Sequence, residues 1–331
     1  MKKNLTFIIV LLSVGMFILL GVALGRYTSN TVVTETPNTA CAFAMTEVIK
    51  SAQGDVYNTE NFSSYVEPKS YNLVTYVVNG DQITDPVFDP IPNELKDEQK
   101  NSALQTEAWQ IFTTLIPFEN RQMVAQYIIF TDGGKNTLAA VEQTKNDPAY
   151  WIVEVDIADL ENKDELLFTL VHEYAHLLTL NDSQVSIDEE VYNDPYNLTL
   201  IENKAAACPN YFDGGGCSLP NSYVNAFYHR FWVDIHAEWK KIDALQYADD
   251  LSPYYEGLYN FYLAHQDQFV DDYATTHPTE DIAEAFTYFV FSPKPMGNSI
   301  KEQKIAFFYE YPELVELRAN ILGSFCTSFP Q

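Results

Sequence analysis

Hydrophobic and polar positions fall into three regimes along the chain. An uncharged, apolar-rich run occupies residues 5–24. Strand-like runs broken by turn signals extend from residue 72 to 157, and helical spacing dominates afterwards. Residues 72–78 read as a strand, Asn79-Gly80 as a tight turn and residues 82–84 as a short partner strand. Pro86, Pro90 and Pro92 mark a loop. Leu104, Trp109, Ile111, Phe112 and Leu115 recur at helical spacing and predict a helix over 94–115. Residues 123–131 form the next strand; Asp132-Gly133-Gly134 turns it into 138–143, and Asp147-Pro148 turns again into a strand over 151–157. A helix follows at once, capped by Asn162 or Asp164, with Leu166, Leu167, Leu170, Val171, Tyr174, Leu177 and Leu178 as its apolar stripe. Residues 181–221 are polar and hold Pro, Gly and two cysteines, so they read as a long stapled loop. Helical signals return at 223–242, 255–270, 280–291 and 299–322. This order predicts an α+β fold: a sheet-containing half, 41–180, and a mainly helical half, 181–331.

The N-terminal run changes the picture of where that domain works. Lys2 and Lys3 precede it and Arg26 ends it. Twenty apolar-rich residues match the span of a bilayer-crossing helix, whereas a cleaved signal has a shorter apolar core. Residues 1–26 are therefore expected to be a membrane anchor or a signal peptide, with the anchor favoured. The expected location is the cell membrane, single-pass with the domain outside, or secretion if the segment is cleaved. Residues 27–40, rich in Thr and Asn, read as a linker to a domain spanning 41–331.

Charge and cysteines narrow the function classes. Nineteen Lys and Arg stand against 46 Asp and Glu, a net of −27, and residues 1–26 contain no acid at all. Nucleic acid is a poor partner for such a chain, and contact with a membrane is expected through the N-terminal segment only. The acidity reads first as solubility and second as a preference for cationic substrates. Four cysteines in an exported chain predict two disulfides. Four cysteines allow three connectivities; the favoured one is Cys208–Cys217, closing a short loop that contains Gly214-Gly215-Gly216, with Cys41–Cys326 then tying the start of the domain to its end.

The chemistry concentrates in His172-Glu173-Tyr174-Ala175-His176. Two histidines four apart on a helix share a face, at a separation that one metal ion can bridge. Glu173 lies beside them and is placed to take a proton from a water activated by the metal. A catalytic zinc takes three protein ligands. Position 182 is Asp, which excludes the pattern with a third histidine there, so a carboxylate is needed. Glu189, Glu190, Glu202, Glu238, Glu280 and Glu284 are candidates. Glu280 and Glu284 stand out because they repeat the one-turn spacing on another helix, one able to bind metal and the other to orient an imidazole. His277 precedes Glu280 by three residues and reads as a loop histidine ahead of Pro278. His229, His236 and His265 fall among aromatic residues and read as packing.

Together these segments resemble the gluzincins, zinc peptidases with a downstream Glu ligand on a second helix. The second segment is most similar to the anthrax lethal factor type, through Tyr273, Glu280 and Ala283-Glu284-Ala285-Phe286. The resemblance implies a zincin-like fold with a small mixed sheet and an active-site helix. It implies one zinc held by His172, His176 and Glu280, with Glu284 behind a ligand, Glu173 as general base and Tyr273 as a phenol near the oxyanion. It also implies that strand 151–157 is an edge strand able to pair with an extended peptide. The expected activity is zinc-dependent hydrolysis, of a peptide or protein substrate. The alternative is an inactive surface-anchored binding protein on a peptidase-derived fold.

Overall fold

The computed structural model describes residues 39–52, 69–135 and 137–329. It is an α+β structure built on a five-stranded mixed sheet. Strands β1 (Tyr71–Asn79), β2 (Gln82–Phe88), β3 (Val124–Thr131), β4 (Ala139–Thr144) and β5 (Asp147–Asp156) lie in the order β2-β1-β3-β5-β4. β3 and β5 run parallel and the other neighbours antiparallel. Gly80 closes the β1–β2 hairpin at φ 65°, a conformation that costs an L side chain strain.

Alternation along the inner strands assigns their faces. Trp151, Val153 and Val155 of β5 join Tyr127 and Ile129 of β3 in the main core. The opposite face carries a smaller buried group, Ile128, Phe130 and Ile152. β5 is thus an interior strand, flanked by β3 and β4, and the expectation that 151–157 forms the edge is corrected. β4, the strand before β5 in the chain, pairs along its outer side, so β4 forms that edge of the sheet and β2 the other.

The helices divide more finely than the periodicity predicts. α1 (Thr39–Ser51) occupies the end of the expected linker and the residues after it. The predicted helix over 94–115 is broken into α2 (Lys96–Lys100) and α3 (Ser102–Leu115). Asn101 leaves the helical conformation at the break, and its side chain accepts from the Leu104 N–H to cap the second piece. α4 (Lys163–Leu180) is the central helix, buried on nearly all sides. Asn162 stands at its N-cap without making the side-chain cap; it donates instead to Glu165.

The expected loop 181–221 holds two short helices, α5 (Glu189–Asn193) and α6 (Leu198–Ala207), and a small hairpin of β6 (Val185–Ile187) with β7 (Gly216–Ser218). Gly216 is required there, because a Cβ would meet the Ser186 carbonyl at 2.4 Å. The expected 223–242 helix breaks at Trp232 into α7 (Tyr223–Phe231) and α8 (His236–Asp243). α9 (Ser252–Ala264), α10 (Pro278–Phe291), α11 (Ile300–Phe307) and α12 (Pro312–Ser328) complete the set. Pro312, which has no N–H to continue the preceding helix, starts α12.

Cys208 bonds Cys217, and Cys41 on α1 bonds Cys326 on α12. Residues 1–26 and most of the expected linker lie outside the described residues. The single-pass membrane placement is corrected: no helix among the described residues is long and apolar enough to cross a membrane. What these residues say about compartment is the pair of disulfides, which form and persist in oxidising surroundings.

Candidate metal centre

α4 and α10 pack against each other along their lengths and bring the site together. α10 begins with Pro278 at its first turn, where a missing N–H costs nothing. The backbone N–H of Thr279 donates to Nδ1 of His277 at the N-cap. From there every residue of α10 except Glu280 is buried, so Glu280 is the one side chain of its first two turns left facing an opening. Across from it, His172, Glu173 and His176 occupy a buried face of α4.

Three donor atoms meet between these helices. His172 Nε2 lies 3.0 Å from Glu280 Oε2, His176 Nε2 lies 3.2 Å from the same oxygen, and the two Nε2 atoms are 3.1 Å apart. Tetrahedral ligands held about 2.0–2.1 Å from a zinc ion lie about 3.3 Å from one another. The triangle is therefore close to one face of such a tetrahedron. Its donor set, two imidazoles and a carboxylate, is one that catalytic zinc takes. Donor atoms of His172, Glu173 and His176 also lie within 4.8 Å of one another and could hold a metal ion.

Electrostatics favours a cation at this point. Burial opposes charge on His172, but Glu284 and Glu280 outweigh it and hold its pKa well above the usual histidine value. Burial likewise opposes charge on Glu280, and the two imidazoles, His176 first, pull its pKa well below the usual range. Burial pushes the Glu173 carboxyl up, partly offset by His172 and His176 and by the hydrogen bond it accepts from the Val141 backbone of β4. The edge strand thus aims the carboxylate.

Other expected residues take definite places. Glu284, one turn beyond Glu280, sets its Oε1 2.8 Å from His172 Nδ1 on the ring's far side. The Tyr273 ring lies 5.7 Å from that of His172, centroid to centroid. Burial, with the Glu280, Glu173 and Glu284 carboxylates, keeps its phenol well above the ordinary pKa and therefore protonated. His277 packs against Trp239 and is held neutral by burial, its pKa lowered to about 4. Among the other candidate carboxylates, Glu190 pairs with Lys204 and Glu238 lies beside His265, away from the histidine pair.

Sequence reading passed over three contributors. Val141 acts through its backbone N–H, which leaves no trace in residue identity. Asp271 adjoins Glu284, and burial together with that carboxylate raises its pKa well above normal. Its nearness to Tyr273 in Asp271-Asp272-Tyr273 was the only available signal. The third is the aromatic wall of a large cavity that opens beside Tyr273, His277 and Glu280. This cavity holds about 870 Å³ and is walled by α6, α8, α9 and the disulfide-closed loop. A smaller cavity of about 290 Å³ lies on the other side, between Ala139 of β4, Glu173 and Asp271–Tyr273. Tyr273 lines both, so the donor triangle sits at the neck of a cleft with two arms.

No known protein family, curated protein or solved structure matches this chain.

Proposed function

We propose that this protein is a zinc-dependent peptidase of gluzincin type, with a zincin-like core formed by the sheet, α4 and α10. The observation that carries the reading is the triangle of His172, His176 and Glu280 donor atoms, 3.0–3.2 Å on a side, with the Glu173 carboxylate beside it. His172, His176 and Glu280 hold the metal. A zinc ion supplies Lewis acidity, polarising an oxygen donor and easing its deprotonation near neutral pH.

The chain's own groups do the rest. Glu173 is buried, aimed by the Val141 N–H and raised in pKa, which suits a base that takes a proton from the attacking water and passes it to the leaving amine. Tyr273 keeps its proton and donates to the carbonyl oxygen as charge develops there. Glu284 fixes the orientation of the His172 ring through Nδ1, which directs Nε2 at the metal. The free edge of β4 offers backbone groups to an extended peptide laid across the neck of the cleft.

The test is elemental analysis of the purified protein joined to cleavage of a mixed peptide library. About one zinc per chain is expected, lost in His176→Ala and in Glu280→Ala. Glu173→Gln should keep the metal and lose about 10²- to 10⁴-fold in turnover. A different resident metal would correct the zinc assignment. Full turnover in Glu173→Gln would remove the general-base role, and bound zinc with no cleavage of any peptide would leave a binding protein.

A further inference from the structure

We infer that the large arm of the cleft is a subsite for a cationic side chain of the substrate, Lys or Arg, with Asp243 meeting the positive group inside a cage of tyrosines. The inference rests on the peptidase reading above and names the substrate class for that site.

Two observations point to a ligand here. The first is an unused polar group. Tyr211 lines the cavity, is 3% exposed, and its hydroxyl has no hydrogen-bond partner among the described residues. A buried hydroxyl left without a partner costs about 1–3 kcal/mol, which a small movement of the ring toward an occupant of the cavity would recover. The second is an acid that no ion pair holds. Asp243, at the end of α8, accepts from the Gln246 amide at 2.7 Å. No ion pair to it forms among the described residues, although the charge of Lys240, on the same wall, acts on it. Tyr211, Tyr247 and Tyr254 line the same cavity as Asp243.

Chemistry selects among possible occupants. A carboxylate set among aromatic rings is costly to desolvate unless it is paired. A Lys or Arg head would pair with it and also be attracted to the ring faces, while the alkyl stem packs on the rings. A neutral aromatic side chain would cover Asp243 without pairing it. An acidic one would meet Asp243, Glu202 and, at the neck, Glu280. The charge of the whole chain, −27, draws cationic peptides toward the cleft as well.

The experiment uses the full chain carrying Glu173→Gln, so that binding is read without turnover. Fluorescence anisotropy follows labelled peptides that differ only in one residue, Lys, Arg, Leu or Glu, moved through successive positions. At one position Lys and Arg should bind about tenfold more tightly than Leu. Adding Asp243→Asn should bring that ratio close to one. Tyr247→Leu, at a ring more than half exposed and so of little consequence for folding, should lower it by about threefold. Equal binding of Leu and Lys at every position overturns the subsite, as does an unchanged ratio in either variant. Cleavage of neutral peptides by the parent with no basic preference would refute the subsite and leave the peptidase reading standing. Basic preference that depends on Asp243, with no cleavage by the zinc-loaded parent, would keep the subsite and refute the peptidase.

Discussion

Glu284 and Glu154 show how a buried and a partly buried carboxylate serve different ends. Glu284 is 4% exposed and faces His172 Nδ1. Removing it frees the ring to rotate and takes away the group that keeps Nε2 directed at the Glu280–His176 side of the triangle, where the proposed metal would lie. Glu284→Ala is expected to weaken zinc affinity by about 10- to 100-fold, measured by competition with a chromogenic chelator. Glu154, on β5, is held up to about 7 by burial, with Glu142 and Glu173 adding to the shift. Its folded value exceeds its unfolded one, so its contribution to stability is fully present below about pH 4.5 and is lost as pH rises through 7. Glu154→Gln should therefore match the parent near pH 4 and exceed it near pH 8 by about 1–2 kcal/mol, after allowing for residual solvent. Urea unfolding at the two pH values checks the sign. At this scale His172, Glu173 and His176 were legible in the sequence because all three lie within one helical turn. Asp271 and the Val141 N–H were not, because they reach the site from other segments.

At the scale of elements, the placement of α10 decides whether Glu280 meets the histidines. α10 is fixed from behind by a buried pair. Asp281, fully buried, accepts from Trp232 Nε1 at 2.7 Å and pairs with Lys304 of α11 at 2.6 Å, itself fully buried. Breaking such a pair from one side leaves an uncompensated charge in the core. Lys304→Met is expected to cost about 3–5 kcal/mol, and pairing it with Asp281→Asn should recover much of that loss. Chemical denaturation of the single and double variants tests this. The expected 223–242 helix breaks at the same residue: Trp232 is the C-cap of α7, its indole donates to Asp281, and α8 begins four residues later. Hydrophobic spacing marked the helical stretch but not this break. The other missed breaks, at Asn101 and Pro312, are local: a cap in one case and a missing N–H in the other. The misplaced edge strand is a matter of pairing. A strand's pattern reports that it is buried, but which neighbour lies outside it depends on where the preceding strand pairs.

At the scale of the molecule, the Cys41–Cys326 bond joins residues 285 apart in sequence and ties α1 to α12. Such a cross-link removes a large part of the unfolded chain's freedom. Replacing both cysteines by Ser should lower stability by about 2–5 kcal/mol, read by guanidinium unfolding against the parent under non-reducing conditions. Breaking Cys208–Cys217 acts locally instead, on one wall of the large cavity. The α+β order, the presence of two disulfides and the two-histidine face were determined by the sequence itself, since each depends on spacing along a short segment or on an even count of cysteines; which of the three pairings forms was left to the fold. The tertiary structure alone decided three things: that Glu280, rather than another acid, closes the triangle; that β4, not β5, is an edge strand; and that tyrosines of the 211–255 region line one cavity with Asp243 beside the site. Each of these joins segments distant in sequence, and long-range packing leaves no periodic trace in any one of them.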